Sequence, residues 1–268
     1  MQYIDQHMHS KYSFDSEALF EDYLKITDNY IVTTDHLDLY EPSIGYKDRE
    51  LDLNSYLKEV AELNMNNNNR VFKGIEAGWI FSQHDRIVNT LTNIDYDLVL
   101  LSLHSNDKYN YMDRSAGITK EPSLLIPEYL NSLIDGLDAM HNYVQVLAHF
   151  DYGFRITSIT VEELKEYGEG ILIKLFEKLI MYNISFEINT SSMFKYNNLH
   201  LYEYAVPLYL KCGGANFTMG SDAHRVSDYQ YMFEEAISLL NDLGVENLNH
   251  YVHKKSYKTS IARLLKQI

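Results

Sequence analysis

The sequence predicts an α/β fold in which helices cover a parallel sheet. Short β-type runs alternate seven times with longer amphipathic helical segments. No Pro/Gly-rich linker interrupts the alternation, with 4 prolines and 12 glycines in 268 residues. Hydrophobic residues make up 46% of the chain, enough for one sizeable core. Seven βα units fit a barrel one short of the usual eight, and pattern alone leaves an open doubly wound sheet as the alternative. A chain of this length can form one barrel, so residues 1–268 are read as a single domain.

The first strand is expected at 2–7. Five further strands follow at 30–35, 71–76, 98–103, 144–149 and 184–189, and the seventh at 215–220. Helices are expected at 17–28, 54–66, 84–92, 123–142, 160–182, 200–212 and 228–243. In 160–182, Val161, Leu164, Leu172, Leu175 and Leu179 recur at mixed spacings of three and four. Thr160 is placed to cap that helix, and Glu162 and Glu163 sit where the helix dipole favours acids. The run Asn66 to Asn69 reads as a surface turn. Residues 105–122 are polar and aperiodic and follow a strand end, as a lid or a plain surface excursion would.

In barrels, functional groups come from the C-terminal ends of the strands. His7 and His9 end the first strand, and side chains at i and i+2 share a face. Thr34-Asp35-His36, Gly74-Ile75-Glu76, Leu103-His104, Ala148-His149 and Glu187-Ile188-Asn189 end the next five. Gly220-Ser221-Asp222-Ala223-His224 follows the seventh. Six of the 11 histidines thus fall at these ends, which metal ligation explains better than chance. With Glu76, Asp222 and Asp15 they make nine side chains, enough for two or three divalent ions. The only cysteine is Cys212, so there is neither an internal disulfide nor a thiolate zinc site, and an imidazole–carboxylate set suits Zn, Mn or Fe. Clustered divalent ions clamp phosphoryl oxygens and supply hydroxide near neutral pH, which makes phosphate-ester hydrolysis the default chemistry. Amide or lactone hydrolysis is the next choice.

The net charge of −15 argues against a nucleic-acid partner. No signal-peptide pattern and no apolar run of about 18 residues is present, so no membrane association and a cytoplasmic location are expected.

The ordered motifs His-Met-His-Ser, Thr-Asp-His, Gly-Ile-Glu, Leu-His, Ala-His and Gly-Ser-Asp-Ala-His resemble those of the PHP (polymerase and histidinol phosphatase) superfamily. Length and Asp15 resemble its monofunctional histidinol-phosphatase branch. The resemblance covers nearly the whole chain. It implies a distorted (β/α)7 barrel with a trinuclear centre: His7, His9, Glu76 and Asp222 on one ion, Glu76 bridging to a second with His104 and His149, and Asp15, His36 and His224 on a third. It implies that a metal-held hydroxide attacks phosphorus and that Asp222 or His224 protonates the leaving oxygen. Arg155 matches a family arginine that clamps phosphate. Lys195 stands in a stretch that commonly carries a second basic group, and Arg225 is a weaker candidate. The segment after His104 differs from the apolar-aromatic and acidic loop of many relatives, and it is expected to contact the organic half of the substrate. Asp35 reads either as a carboxylate that orients a metal-binding histidine or as a strand-end surface carboxylate.

The implied activity is hydrolysis of L-histidinol phosphate to L-histidinol and phosphate, in histidine biosynthesis. The alternative is the same chemistry on a phosphotyrosyl protein or another small phosphate ester. The charge argues against a PHP nuclease, and the intact donor set against a catalytically silent metal-binding module.

Overall fold

The period-two alternation of the strands sets the architecture. The computed structural model describes residues 3–113 and 120–268. In chain order the main elements are α1 (Phe20–Ile26), β1 (Ile31–Glu41), β2 (Lys47–Glu50), α2 (Leu53–Asn66), β3 (Val71–Gly78), α3 (His84–Thr92) and β4 (Leu98–Ser102). There follow α4 (Pro122–Met140), β5 (Val146–Leu147), α5 (Val161–Tyr182), β6 (Ser185–Asn189), α6 (Thr190–Phe194), α7 (Leu199–Lys211) and β7 (Phe217–Gly220). The chain continues with α8 (Phe233–Asp242), β8 (Asn247–Val252), β9 (Lys255–Ser260) and α9 (Ile261–Leu264).

The sheet runs β2-β1-β3-β4-β5-β6-β7. All neighbours pair in parallel except β2, which lies antiparallel on the outer edge of β1. The stretch expected as a first strand departs from that expectation. Residues 3–9 run extended between β7 and β1 but form only one isolated parallel bridge, Met8 to Ala223. The contacts still close the ring: Gln6 N donates to Met219 O at 3.2 Å, His9 N to Ala223 O at 2.8 Å, and Thr34 N to Met8 O at 2.7 Å. The ladder is irregular because side chains take its donors. His7 N bonds Asp5 Oδ1 at 3.2 Å and Met8 N bonds Thr34 Oγ1 at 3.2 Å. Six strands and this irregular seventh stave make a distorted (β/α)7 barrel.

Val32, Phe72, Leu98, Leu100, Val146 and Ala148 pack with Ile4 and Tyr251 in a cluster separate from the large core between strands and helices. Two steps further along the same faces stand Thr34 and His36 on β1, Gly74 and Glu76 on β3. One end of the barrel interior is therefore apolar and the other carries the imidazoles and carboxylates.

The apolar end is covered by the β8–β9 hairpin, which the sequence pattern did not reveal. Tyr251 N donates to Gln6 Oε1 at 2.7 Å, and its hydroxyl meets Ser185 Oγ at 2.9 Å. The two-residue turn is His253-Lys254, with φ of 50° and 60°. Such turns are normally announced by Asn-Gly or Asp-Gly, and here neither is present.

The expected 160–182 helix is observed as α5 with a complete capping box between Thr160 and Glu163. The Asn-rich turn is observed too, with Asn68 and Asn69 at φ of 54° and 56°. Among the described residues, no helix is long and apolar enough to cross a membrane. Thr160→Ala removes the Oγ1 that accepts from Glu163 N. It is expected to cost about 1 kcal/mol in urea unfolding, with metal content unchanged.

Candidate metal centre

Glu76 stands at the middle of the polar end, fully buried on β3 and directly opposite His36 of β1 in register. Its Oε1 lies 3.1 Å from His104 Nε2 and 2.7 Å from His149 Nε2. Its Oε2 lies 3.4 Å from His7 Nε2, 3.6 Å from His9 Nε2 and 3.0 Å from His36 Nδ1. The two oxygens of one carboxylate therefore face two different sets of imidazoles.

The spacing of the donors tests whether ions fit. Tetrahedral bonds of about 2.0–2.1 Å put the ligand atoms about 3.3–3.4 Å apart. His7 Nε2 and His9 Nε2 are 3.2 Å apart, and Asp222 Oδ1 is 3.6 Å and 3.3 Å from them. Glu76 Oε2 completes a buried triad with the same two nitrogens, and Asp222 joins His7 and His149 in another. A second group has the same scale. His36 Nε2 and His224 Nε2 are 3.4 Å apart, and the Asp15 carboxylate lies 3.6 Å from the first and 3.3 Å from the second. Glu76 Oε2 is buried with no hydrogen-bond donor of its own, a costly state for a carboxylate oxygen that a cation would relieve.

Surrounding groups fix the imidazole orientations. Glu187 Oε1 accepts from His7 Nδ1 at 2.7 Å while its Oε2 accepts from His149 N at 2.7 Å. Asp38 Oδ1 meets His104 Nδ1 at 2.8 Å. Asp35 acts through an intermediary: Ser13 Oγ donates to it at 2.8 Å and lies 3.0 Å from His9 Nδ1. Two glycines make room for this shell. A Cβ at Gly78 would lie 1.8 Å from Asp38 Oδ1, and one at Gly220 would lie 2.3 Å from His7 Cβ and 2.6 Å from Glu187 Oε1.

The charge pattern follows from the packing. Burial works against the charged form of His7, but Glu187, Glu76 and Asp222 outweigh it and raise its pKa well above the ordinary value. Burial lowers His9, and the neighbouring His224 and His36 lower it further. His104 is pushed up to about 10, because Asp38 and Glu76 overcome its burial. Glu76 and Asp222 are held well below the carboxylate range against the effect of burial, Glu76 by its histidines and Asp222 by His7 and Arg155. Burial works against the charged form of His224 as well, yet Asp15 and Asp222 raise it. Asp222 also takes a left-handed backbone, φ 53°, at the turn that brings it beside His7.

A cavity of about 280 Å³ opens above these donors, lined by Asp15, His36, Glu76, His104, His149, Asp222 and His224 at its floor. Arg155 reaches it from the segment after β5, almost fully buried. Its Nη2 donates to Asp222 Oδ2 at 2.9 Å and to Asn189 Oδ1 at 3.2 Å, and its Nε donates to Ser192 Oγ at 2.9 Å. Tyr152 and Tyr196 flank the guanidinium at 4.9 Å and 4.6 Å.

The structure thus brings all nine expected donors and Arg155 together. It does not bring Lys195, whose ammonium pairs with Asp228 at 2.9 Å over the Tyr231 ring and is not part of the cavity lining. Arg225 lines a neighbouring cavity that shares Phe14, Asp15 and His224. Of the segment 105–122, Asn110 and Met112 line the cavity, and residues 114–119 lie outside the described residues. Sequence reasoning missed Asp38, Arg49 and Glu41, and named Glu187 at a strand end without giving it a role. The position of Asp38 two residues after His36, and an acid inside the apolar strand Ser185–Asn189, were available signals for Asp38 and for the role of Glu187.

A closed parallel barrel with an imidazole–carboxylate floor defines a class of metal-dependent enzymes. The chain belongs to the PHP domain family, which it matches over residues 5–191. It is 25% identical over 249 residues to a probable histidinol-phosphatase of Thermotoga maritima, covering 91% of this chain and 94% of that protein. It is 25% identical over 257 residues to the histidinol-phosphatase of Lactococcus lactis, covering 92% and 94%. The crystal structure of the Lactococcus lactis histidinol phosphate phosphatase, complexed with zinc, L-histidinol and phosphate, superposes with a TM-score of 0.84 at 24% identity, over 96% of this chain and 99% of that one. A chain in the cryo-EM structure of archaeal ribonuclease P with mature tRNA shares the fold more distantly, with a TM-score of 0.52 at 12% identity over 90% and 82%.

Metal binding should strengthen with pH. In the metal-free chain His104 titrates near 10, against about 6.5 unfolded. Its protonated form therefore adds stability that is complete below about pH 6.5 and lost as pH rises towards 10. An ion needs the same nitrogen deprotonated. The difference in Tm between zinc-loaded and chelator-stripped protein is expected to widen from pH 6.5 to pH 9. A constant difference would contradict this.

Proposed function

We propose that this protein hydrolyses L-histidinol phosphate to L-histidinol and phosphate, a step of histidine biosynthesis. The observation that carries the proposal is the donor floor centred on Glu76, roofed by a small cavity into which Arg155 is built. The names of the two end-to-end relatives and the ligands of the superposed zinc complex support the same reading. Residues 1–268 act in it as one catalytic domain, in the cytoplasm where a soluble biosynthetic intermediate would be met.

In this reading His7, His9, Glu76 and Asp222 hold one ion, Glu76, His104 and His149 a second, and Asp15, His36 and His224 a third. Bound divalent ions supply Lewis-acid stabilisation of the phosphoryl oxygens and a nucleophilic hydroxide at neutral pH. Arg155 takes a phosphoryl oxygen with Nη1, the arm that has no hydrogen bond among the described residues. Its planar fork is held by Asp222, Asn189 and Ser192, so little freedom is lost when phosphate arrives. Asp222 or His224 would protonate the leaving oxygen: Asp222 Oδ2 already accepts from Arg155 Nη2 at 2.9 Å, whereas the His224 side chain lines the cavity and is 29% exposed.

The names of both end-to-end relatives favour L-histidinol phosphate over a phosphotyrosyl protein. The net charge of −15 and the absence of a basic stripe disfavour a nucleic-acid substrate. His9→Ala and Glu76→Gln are expected to abolish phosphate release from L-histidinol phosphate. Arg155→Ala should lower kcat/KM by about 10²–10³-fold with metal content retained. Full activity in His9→Ala or Glu76→Gln would overturn the proposal. A wild-type enzyme that cleaves phosphotyrosyl peptides well and L-histidinol phosphate poorly would redirect the substrate.

A further inference from the structure

Five carboxylates line the cavity: Asp15, Asp38, Glu41, Glu76 and Asp222. Asp15, Glu76 and Asp222 face the imidazole donors of the floor, and Asp38 is bonded to His104. Glu41 has no such use. It is only 1% exposed. Its Oε1 accepts from Ser43 N at 2.9 Å and its Oε2 accepts from Asn110 Nδ2 at 3.2 Å. Both partners are neutral, and no ion pair among the described residues includes it. A buried carboxylate without a cation is costly unless something supplies the charge.

The backbone is bent to place it there. His36 and Asp38 share the inward face of β1, so a regular strand would next turn Tyr40 inward and Glu41 outward. Instead the register against β2 slips. Asp38 pairs with Arg49, but Glu41 pairs with Lys47, which leaves one extra residue on β1. Tyr40 absorbs the bulge at φ 56°, a region that disfavours bulky side chains. Its ring packs against Tyr46 at 4.7 Å, and it does not line the cavity. Glu41 takes the inward position. Bulges beside active sites commonly re-aim a side chain in this way.

We propose that Glu41 is the specificity-determining residue of this cavity, receiving a protonated amine on the organic half of the phosphate ester while the phosphoryl group lies on the metal-donor floor. The inference rests on the phosphomonoesterase reading above. Asn110 positions the carboxylate from the opposite loop. A cationic amine completes an ion pair, whereas an amine-free ester leaves the carboxylate unpaired, and buried polar groups left unpaired discriminate strongly.

The test uses metal-loaded wild type and Glu41→Gln, an isosteric change that keeps an acceptor for Ser43 N. The substrates are L-histidinol phosphate, 2-aminoethyl phosphate and ethyl phosphate, with metal content measured on each sample. Wild type is expected to prefer 2-aminoethyl to ethyl phosphate. In Glu41→Gln, kcat/KM for both amine esters should fall about 10–100-fold, mostly through KM, while ethyl phosphate and metal content stay nearly unchanged. Glu41→Asp should retain part of the preference. Equal losses on all three esters, or an unchanged amine preference, would overturn the inference; with L-histidinol phosphate still turned over by wild type, the phosphatase reading would survive. Failure of wild type on L-histidinol phosphate, together with an amine preference that disappears in Glu41→Gln, would support the role of Glu41 and overturn the substrate assignment. No turnover of any ester would overturn both.

Discussion

The polar end of this barrel is organised around one buried carboxylate. Glu76 cannot leave the interior, because β3 is flanked on both sides by parallel strands. It cannot be neutralised by a lysine or arginine, because imidazoles surround it. Removing an isolated charge from water costs several kcal/mol even after relaxation. Its two oxygens face separate groups of imidazoles, so one cation on each side satisfies the whole arrangement. The shell around it makes sense on the same terms. Glu187, Asp38 and the Ser13–Asp35 relay hold imidazole orientations that would otherwise be free, and Gly78 and Gly220 leave room for them.

Charge balance also explains the division of labour among the basic groups. Arg155 is buried, stacked and tethered, and it compensates Asp222 while one arm has no hydrogen bond among the described residues. Lys195 comes from the next strand–helix segment, after α6, and its ammonium pairs with Asp228. A point charge on a flexible stem is not held in place the way a planar fork is. Arg49, on the antiparallel edge strand β2, enters the cavity wall over the Phe14 ring at 3.8 Å and brings a cation to a rim otherwise rich in acids.

The candidate donors could be located in the sequence because a parallel barrel leaves few choices. Successive strand ends must converge on one face, so His7, His9, His36, Glu76, His104, His149, Asp222 and His224 announce themselves by position alone. Helix bounds were close for the same kind of reason: 84–92 was expected and His84–Thr92 is observed. The misses have separate local causes. Residues 3–9 look like a strand, but His7 N and Met8 N turn to side chains and interrupt the ladder. The β8–β9 hairpin turns on His253-Lys254, with no glycine to signal a positive φ. Lys47–Glu50 is charged throughout and reads as loop, although it is an edge strand exposed to water. Glu41 was hidden for a subtler reason. Its inward position depends on a bulge at Tyr40, and neither alternation nor turn chemistry marks that residue as left-handed.

The central claim is that Glu76 bridges two cations held by different histidines. Anomalous-scattering maps from zinc-loaded crystals test it most directly. The account predicts two strong peaks about 3.5–4 Å apart, one beside His7, His9 and Asp222 and the other beside His104 and His149, with Glu76 between them. A single peak, or peaks that avoid Glu76, would contradict it.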